Sequence, residues 1–361
     1  MTSIEPASAA YTANSALPLA WGAHALWEQL VGRLPGLSVE VVARIASTNS
    51  ALLERARVVG HEASQQDAGD TQRGEASDVI VRRSTESRAF GRRAVDWQPC
   101  LLVAEHQTSG RGRHGHHWHA AAGSSLTFSL ALTFNPPDWS GLSLAVGVAL
   151  AEALDPIQPS TPRQAHTLPR LCIKWPNDLW LLDETPGSDP AQPSAEPQTG
   201  RKLGGVLIET VASGNKRLVV VGVGLNVLPM GLNTAQASSG SACLQALHPH
   251  IDAPTSLARV AGPLVSALQL FERSGFAPFA ERFAARDLLF QQHITTTQVG
   301  LEAGIAQGVS ASGALLVQTQ TGVHAVSSGE VSVRPARFDA QPSAHQPAQP
   351  NSTPTKSGAA C

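Results

Sequence analysis

Between residues 107 and 119 the chain reads Gln-Thr-Ser-Gly-Arg-Gly-Arg-His-Gly-His-His-Trp-His. Gly110, Gly112 and Gly115 allow positive φ and bring backbone N–H groups close to a ligand, while Arg111 and Arg113 add fixed positive charge. Such a segment is suited to hold an anion. An apolar run, Leu101-Leu102-Val103-Ala104, precedes it, and a second, from 125 to 133, follows, so the loop is expected to join two strands of one sheet.

The same glycines spell G-x-G-x-x-G, the dinucleotide fingerprint. That motif requires a helix to start inside it and an acid to close the next strand. Here it runs into His116-His117-Trp118-His119, and the following strand ends in Asn135-Pro136-Pro137 with no matching acid. The context speaks against a Rossmann site. Four histidines on a glycine-rich loop also lack the rigid spacing of a zinc site, and no protein-held metal is expected.

Three further segments stand in order downstream: Lys174-Trp-Pro-Asn-Asp-Leu-Trp180, Arg201-Lys-Leu-Gly-Gly-Val-Leu-Ile-Glu209 and Val221-Gly-Val-Gly-Leu-Asn-Val227. Ser47-Thr48-Asn49 lies upstream. With the loop, this ordered set resembles the biotin protein ligases, also called biotin-[acetyl-CoA-carboxylase] ligases, over residues 38–335. The resemblance implies an α+β fold: a mixed-sheet catalytic domain of the biotin/lipoate ligase type at 21–288, then a small SH3-like β-barrel at 289–336. It also implies an activity in which ATP activates biotin as biotinoyl-5'-AMP and the acyl group passes to one lysine of a biotin carboxyl carrier protein. ATP and Mg²⁺ would be required, with biotin as substrate.

Adenylation crowds negative charge at the α-phosphate, so the site needs cations and preorganised N–H donors. Lys174, which ends a strand before Trp175-Pro176, is the first candidate for the phosphate and carboxylate oxygens, against the alternative of a solvated surface lysine. Arg113 is the second, bridging the mixed anhydride. The resemblance assigns biotin contacts to Ser47, Thr48, Asn49, Gln107, Gly110, Arg111, Gly112, Arg113, Lys174, Gly204 and Gly205. It assigns nucleotide contacts to Arg111, Trp118, Asn177, Asp178, Gly222, Gly224 and Asn226. Several of these have plainer readings. Ser47, Thr48 or Asn49 can cap a helix, the four later glycines can simply ease strand packing, Trp118 can fill the core of its own loop, and Asp178 can cap a turn instead of assisting Mg²⁺. Glu330 and Arg334 match the end of the family's C-terminal domain, or are strand-surface charges.

Along the rest of the chain, residues 1–20 and 337–361 are poor in aliphatic residues and are expected to be disordered. Insertions are expected at about 60–97, 155–169 and 183–200. Helices are expected over 23–34, 140–154, 256–271 and 276–287, and short glycine-punctuated strands from 292 onward. The formal net charge of −2 implies no broad attraction to nucleic acid or membrane, and too few residues precede the first helix for a helix-turn-helix domain. Four dispersed cysteines read as reduced thiols. The expectation is a cytoplasmic ligase, monomer or weak homodimer, without DNA or membrane partners. A lipoate or octanoate ligase and a non-catalytic biotin-binding module are the alternatives.

Overall fold

The computed structural model describes residues 19–66, 88–90, 97–157, 169–183, 200–213, 216–229, 241–327 and 333–335. The elements in chain order are α1 (Ala23–Val31), β1 (Ser38–Ile45), α2 (Thr48–Gln66), β2 (Arg88–Phe90), β3 (Cys100–Gln107), β4 (Gly110–Arg111), β5 (His117–Trp118), β6 (Ser125–Thr133) and α3 (Leu142–Leu154). They continue with β7 (Leu171–Lys174), β8 (Asp178–Leu182), β9 (Gly200–Ser213), β10 (Lys216–Asn226), α4 (Ala253–Ser274) and α5 (Ala280–Ala284). The chain then forms β11 (His293–Thr296), β12 (Ala303–Val309), β13 (Leu315–Thr319), β14 (Gly322–Val326) and β15 (Val333–Pro335).

Eight strands form one mixed sheet in the order β2-β1-β3-β6-β10-β9-β8-β7. β1 and β3 run parallel and the other neighbours antiparallel. The central strands are apolar on both faces because both faces are covered. On β3, Leu101 and Val103 join the large core shared with α1, α3 and α4, while Cys100 and Leu102 join a smaller cluster with Leu52, Leu53 and Ala56 of α2. α3 is apolar nearly all round, consistent with a helix wedged between the sheet and α4. α4 starts where Asp252 accepts the Thr255 N–H at 2.8 Å, an N-cap.

The last five strands form a second, antiparallel sheet in the order β14-β13-β12-β11-β15. Its buried residues Ile294, Ala306, Leu315, Val317 and Val326 extend the large core. Two contacts tie it to the first sheet. The Trp175 indole N–H donates to the Gly313 carbonyl at 3.1 Å, and a β-carbon on Gly313 would lie 2.7 Å from the Cα of Gly141.

Two expectations need correction. The helix expected over 276–287 is a 3-10 turn at Ala277–Phe279 followed by the short α5. The helix stops there because the next residues are taken by β7: the Ile173 N–H donates to the Arg286 carbonyl (2.8 Å) and the Leu288 N–H to the Ile173 carbonyl (3.0 Å). The insertion expected from residue 60 begins as a continuation of α2 to Gln66 and contains β2, which pairs antiparallel with β1 at the sheet edge. Most of the expected insertions and of the two expected disordered ends, together with Glu330, lie outside the described residues, but Leu19 is placed, its N–H donating to Glu105 at 3.1 Å, and Asp155 accepts the Leu171 N–H at 2.9 Å. No helix among the described residues is long and apolar enough to cross a membrane.

Candidate active site

The site begins where side chains on one face of the sheet run out. On β10, Leu218 and Val220 pack under α2, and the next residues on that face are Gly222 and Gly224. The space is used at once. A β-carbon on Gly222 would lie 2.8 Å from Cγ of Asn49, and one on Gly224 would lie 2.6 Å from Cε2 of Trp118. Between these side chains lies a cavity of about 200 Å³.

One wall is the N-terminus of α2. Ser47 precedes the first helical residue and accepts the Ser50 N–H on its hydroxyl at 3.4 Å, so the capping role falls to Ser47. The Thr48 N–H donates to Gln107 Oε1 at 2.7 Å, which ties the helix start to the end of β3. Asn49 donates to the Leu207 carbonyl at 3.2 Å and to Glu209 at 2.9 Å. All four residues, Ser47, Thr48, Asn49 and Gln107, are buried and line the cavity.

The lid of the cavity is the loop between β3 and β6. It folds back as a small hairpin in which β4 pairs with β5, Gly110 opposite Trp118 and Arg111 opposite His117. The expected positive φ occurs at Gly115 (73°), but Gly112 is extended at −114° and Gly110 lies in the β4 strand. His114 takes the left-handed turn instead, at φ 53°. Gly110 is required for a different reason: a β-carbon there would lie 3.2 Å from Cβ of Trp118. Arg111 does not point its charge at the cavity freely, because Glu209 holds it at 2.9 Å. Arg113 does turn inward, its guanidinium 3.4 Å from Asn177 Oδ1. Burial pushes the Arg113 pKa below its ordinary value, and the nearby Asp178 carboxylate opposes that shift.

The opposite wall is the β7–β8 turn. Lys174 closes β7, and its ammonium lies 5.6 Å from the centre of the Trp180 ring. Trp175 is fully buried. Asn177 is locked to β9, donating to the Val206 carbonyl at 2.8 Å and accepting the Val206 N–H on its own carbonyl at 3.0 Å. Asp178 meets Lys202 of β9, with Nζ to Oδ1 at 2.7 Å.

Arg111, Gly112, Arg113, Trp118, Lys174, Asn177, Asp178, Gly205, Gly222 and Gly224 line the cavity with the α2 group. Gly110, Gly204 and Asn226 do not. Gly204 lets β9 and β10 approach, since a β-carbon there would lie 2.5 Å from Leu225. The Asn226 amide donates to the Ala242 carbonyl at 3.1 Å, fixing a neighbouring segment. Lining residues that the sequence did not assign to the site include Lys202, Leu207 and Val333, along with Phe128, Pro176, Val206, Val223 and the loop histidines His114, His116 and His117. Lys202 stood in the Arg-Lys-Leu-Gly-Gly segment, but its facing depends on the irregular β8–β9 register, which local pattern does not reveal. Val333 comes from the far end of the chain.

Four cationic side chains, Arg111, Arg113, Lys174 and Lys202, line the cavity against one carboxylate, Asp178. The buried Trp118 Nε1 has no hydrogen-bond partner, so a donor is left over inside the site. Among the described residues no three His, Cys, Asp or Glu side chains gather to hold a metal, and the loop histidines are spread along the hairpin. The arrangement suits an elongated ligand with a neutral hydrogen-bonding end at α2 and an anionic end among Arg113, Lys174 and Lys202.

Residues 82–226 match the biotin/lipoate A/B protein ligase family, and residues 298–334 match the biotin protein ligase C terminal domain. The bifunctional ligase/repressor BirA of Escherichia coli is 29% identical over 313 residues, 86% of this chain and 78% of that protein. The biotin--[acetyl-CoA-carboxylase] ligase of Mycobacterium tuberculosis is 33% identical over 156 residues, 42% of this chain and 48% of that one. In fold, the chain is similar to the biotin protein ligase from Aquifex aeolicus solved with biotin and ATP. That likeness has a TM-score of 0.55 at 23% identity and covers 82% of this chain and 99% of that one. With both family regions matched in order around one cavity, the chain belongs to the biotin protein ligase family.

Proposed function

We propose that the chain is an ATP-dependent ligase that converts biotin to biotinoyl-5'-AMP and transfers the acyl group to a lysine of a biotin carboxyl carrier protein. The observation that carries this reading is the two-ended cavity, neutral at α2 and cationic at the β7–β8 turn. Thr48 and Gln107 meet the uncharged ring system of biotin, whose carboxylate then points to Arg113, Lys174 and Lys202. There it attacks the α-phosphorus of ATP, forming the acyl–phosphate bond as the bond to pyrophosphate breaks. The three cations balance charge that grows on the phosphate oxygens. In the second step the carrier's neutral lysine amine attacks the acyl carbon, the acyl–oxygen bond breaks, AMP leaves, and the amine loses a proton.

Gly224 and Trp118 define the nucleotide end, where the unpartnered indole N–H provides a donor for a ring nitrogen or ribose oxygen. Asp178, engaged by Lys202, is a poor magnesium ligand, so Mg²⁺ fits this chain as a companion of the triphosphate and not as a protein-held ion. The C-terminal sheet corresponds to an SH3-like domain, and the setting is cytoplasmic. The test is incubation with biotin, Mg-ATP and a carrier domain. A mass gain of one biotinyl group on a single carrier lysine is expected, with lipoate as control acid. Transfer of lipoate in place of biotin, or no transfer at all, overturns the reading.

A further inference from the structure

Glu209, on β9, stands behind the cavity and contacts two of its walls. On one side it holds the loop: Arg111 Nη2 lies 2.9 Å from its Oε1, and Arg111 Nη1 reaches Ser50 of α2 at 3.2 Å. On the other side its Oε2 accepts from the Asn49 amide at 2.9 Å. Glu209 does not itself line the cavity.

The Asn49 contact has a consequence for hydrogens. A carboxylate ion-paired with arginine can only accept, as can the Leu207 carbonyl, so Asn49 turns its NH₂ towards both and its oxygen towards Ser129. Ser129 Oγ stands 2.6 Å from that oxygen and also 2.6 Å from the Thr48 hydroxyl. Ser129 is the donor toward both, to the Asn49 oxygen and to the Thr48 hydroxyl. Gln107 Oε1 accepts the Thr48 backbone N–H at 2.7 Å and the Thr48 hydroxyl at 3.1 Å. Thr48, Asn49 and Ser129 are all buried, so water does not scramble this order.

We propose that Glu209 is a positioning residue for the biotin site, holding the anion-binding loop through Arg111 and the first turn of α2 through Asn49. This rests on the ligase reading for the ligand, although the two arms of Glu209 are properties of the protein alone. A neutral ring system with both N–H donors and a carbonyl acceptor is sensitive to how the first turn of α2 presents Thr48 and Asn49.

The test uses the full chain and two readouts: calorimetric titration with biotin in the absence of ATP, and hydrogen exchange of residues 110–118. In Glu209→Gln the charge pair is lost and the Leu207 carbonyl is the only assured acceptor left to Asn49. Biotin affinity is expected to fall about tenfold, loop exchange to speed up, and KM for biotin to rise more than kcat falls. The reciprocal swap, Arg111→Glu with Glu209→Arg, restores the charge pair but leaves Asn49 only the Leu207 carbonyl as acceptor. It should therefore recover slow loop exchange without recovering biotin affinity, a split that general loss of packing does not produce. Glu209→Gln with biotin affinity within a factor of about two of wild type and unchanged loop exchange overturns the proposal. So does a swap that recovers both or neither while retaining its melting temperature. A wild type that binds no biotin sinks the ligase reading instead, and loop exchange in the variants still decides whether Glu209 holds the loop.

Discussion

Lys202 and Asp178 meet at 2.7 Å across two neighbouring strands, so this cation arrives with its own counter-charge. The pair keeps Lys202 extended along the wall, ready to exchange part of its contact for a phosphate or carboxylate oxygen. Lys202→Ala should reduce biotin-dependent pyrophosphate release by roughly 3–4 kcal/mol of transition-state energy, a hundredfold or more. Lys174→Ala should also lower it. If Lys202→Ala released pyrophosphate at a near-normal rate, the catalytic charge would rest on Lys174 and Arg113.

Arg113 faces the cavity from the loop and is positioned to retain the intermediate as well as to help form it. Arg113→Gly should increase the free biotinoyl-adenylate recovered in the supernatant more than it slows the first half-reaction. Filtration of single-turnover mixtures followed by nucleotide chromatography measures both. An unchanged ratio of free to bound adenylate would remove the retaining role.

Gly222 and Gly224 make separable predictions because different side chains occupy their space. Gly222→Ala drives a methyl group into buried Asn49 and should lower stability by about 1–3 kcal/mol. Gly224→Ala meets the Trp118 ring, which sits on a loop that can move. The melting temperature should then change little while apparent KM for ATP rises. Thermal denaturation and steady-state kinetics on the two variants distinguish these outcomes.

Trp175→Phe removes the donor to the Gly313 carbonyl and keeps most of the ring volume. Leaving that carbonyl buried without its partner should cost about 1–3 kcal/mol. The loss should appear in the melting temperature and as faster hydrogen exchange in β12 and β13.

Asp287 gives a pH-dependent prediction. It is buried at the junction between the sheets, with Oδ1 accepting the Leu289 N–H at 2.9 Å and Oδ2 without a hydrogen-bond partner. Burial raises its pKa from 3.8 to about 7, partly offset by backbone N–H donors. Because the folded chain holds this proton more tightly than the unfolded chain, the contribution to stability is greatest below 3.8 and is lost as pH rises through about 7. Asp287→Asn should therefore be the more stable protein above neutrality, with its advantage shrinking as the solution is acidified. Urea denaturation at several pH values checks this, and a difference independent of pH would show that Asp287 does not titrate in this range.

Much of this was legible in the chain. The loop and the Lys-Trp-Pro-Asn-Asp turn sit in continuous segments, so their residue types carry their chemistry without knowledge of the fold. The unread parts are those created by pairing distant strands. Nothing near Lys202 or Glu209 marks them as facing the site until β9 is registered against β8 and β10. Gly222 and Gly224 were ambiguous for the same reason, since only Asn49 and Trp118, from other elements, reveal what their missing side chains make room for. The helix expected over 276–287 ends early, at Ala284, because the backbone of Arg286 and Leu288 is claimed by β7 although the apolar spacing stays helical.

The parallel pairing of β1 with β3 obliges the chain to cross from one end of the sheet back to the other, and α2 occupies the first part of that crossing. The residues α2 contributes to the cavity lie in its first turn, before most of the crossing has been traversed. Added length between Gln66 and Cys100 therefore alters no distance inside the cavity, and each doubling of such a connection costs only about 0.6 kcal/mol of closure entropy. That stretch is the place where this fold can acquire new sequence, or host an inserted module, while its chemistry stays unchanged.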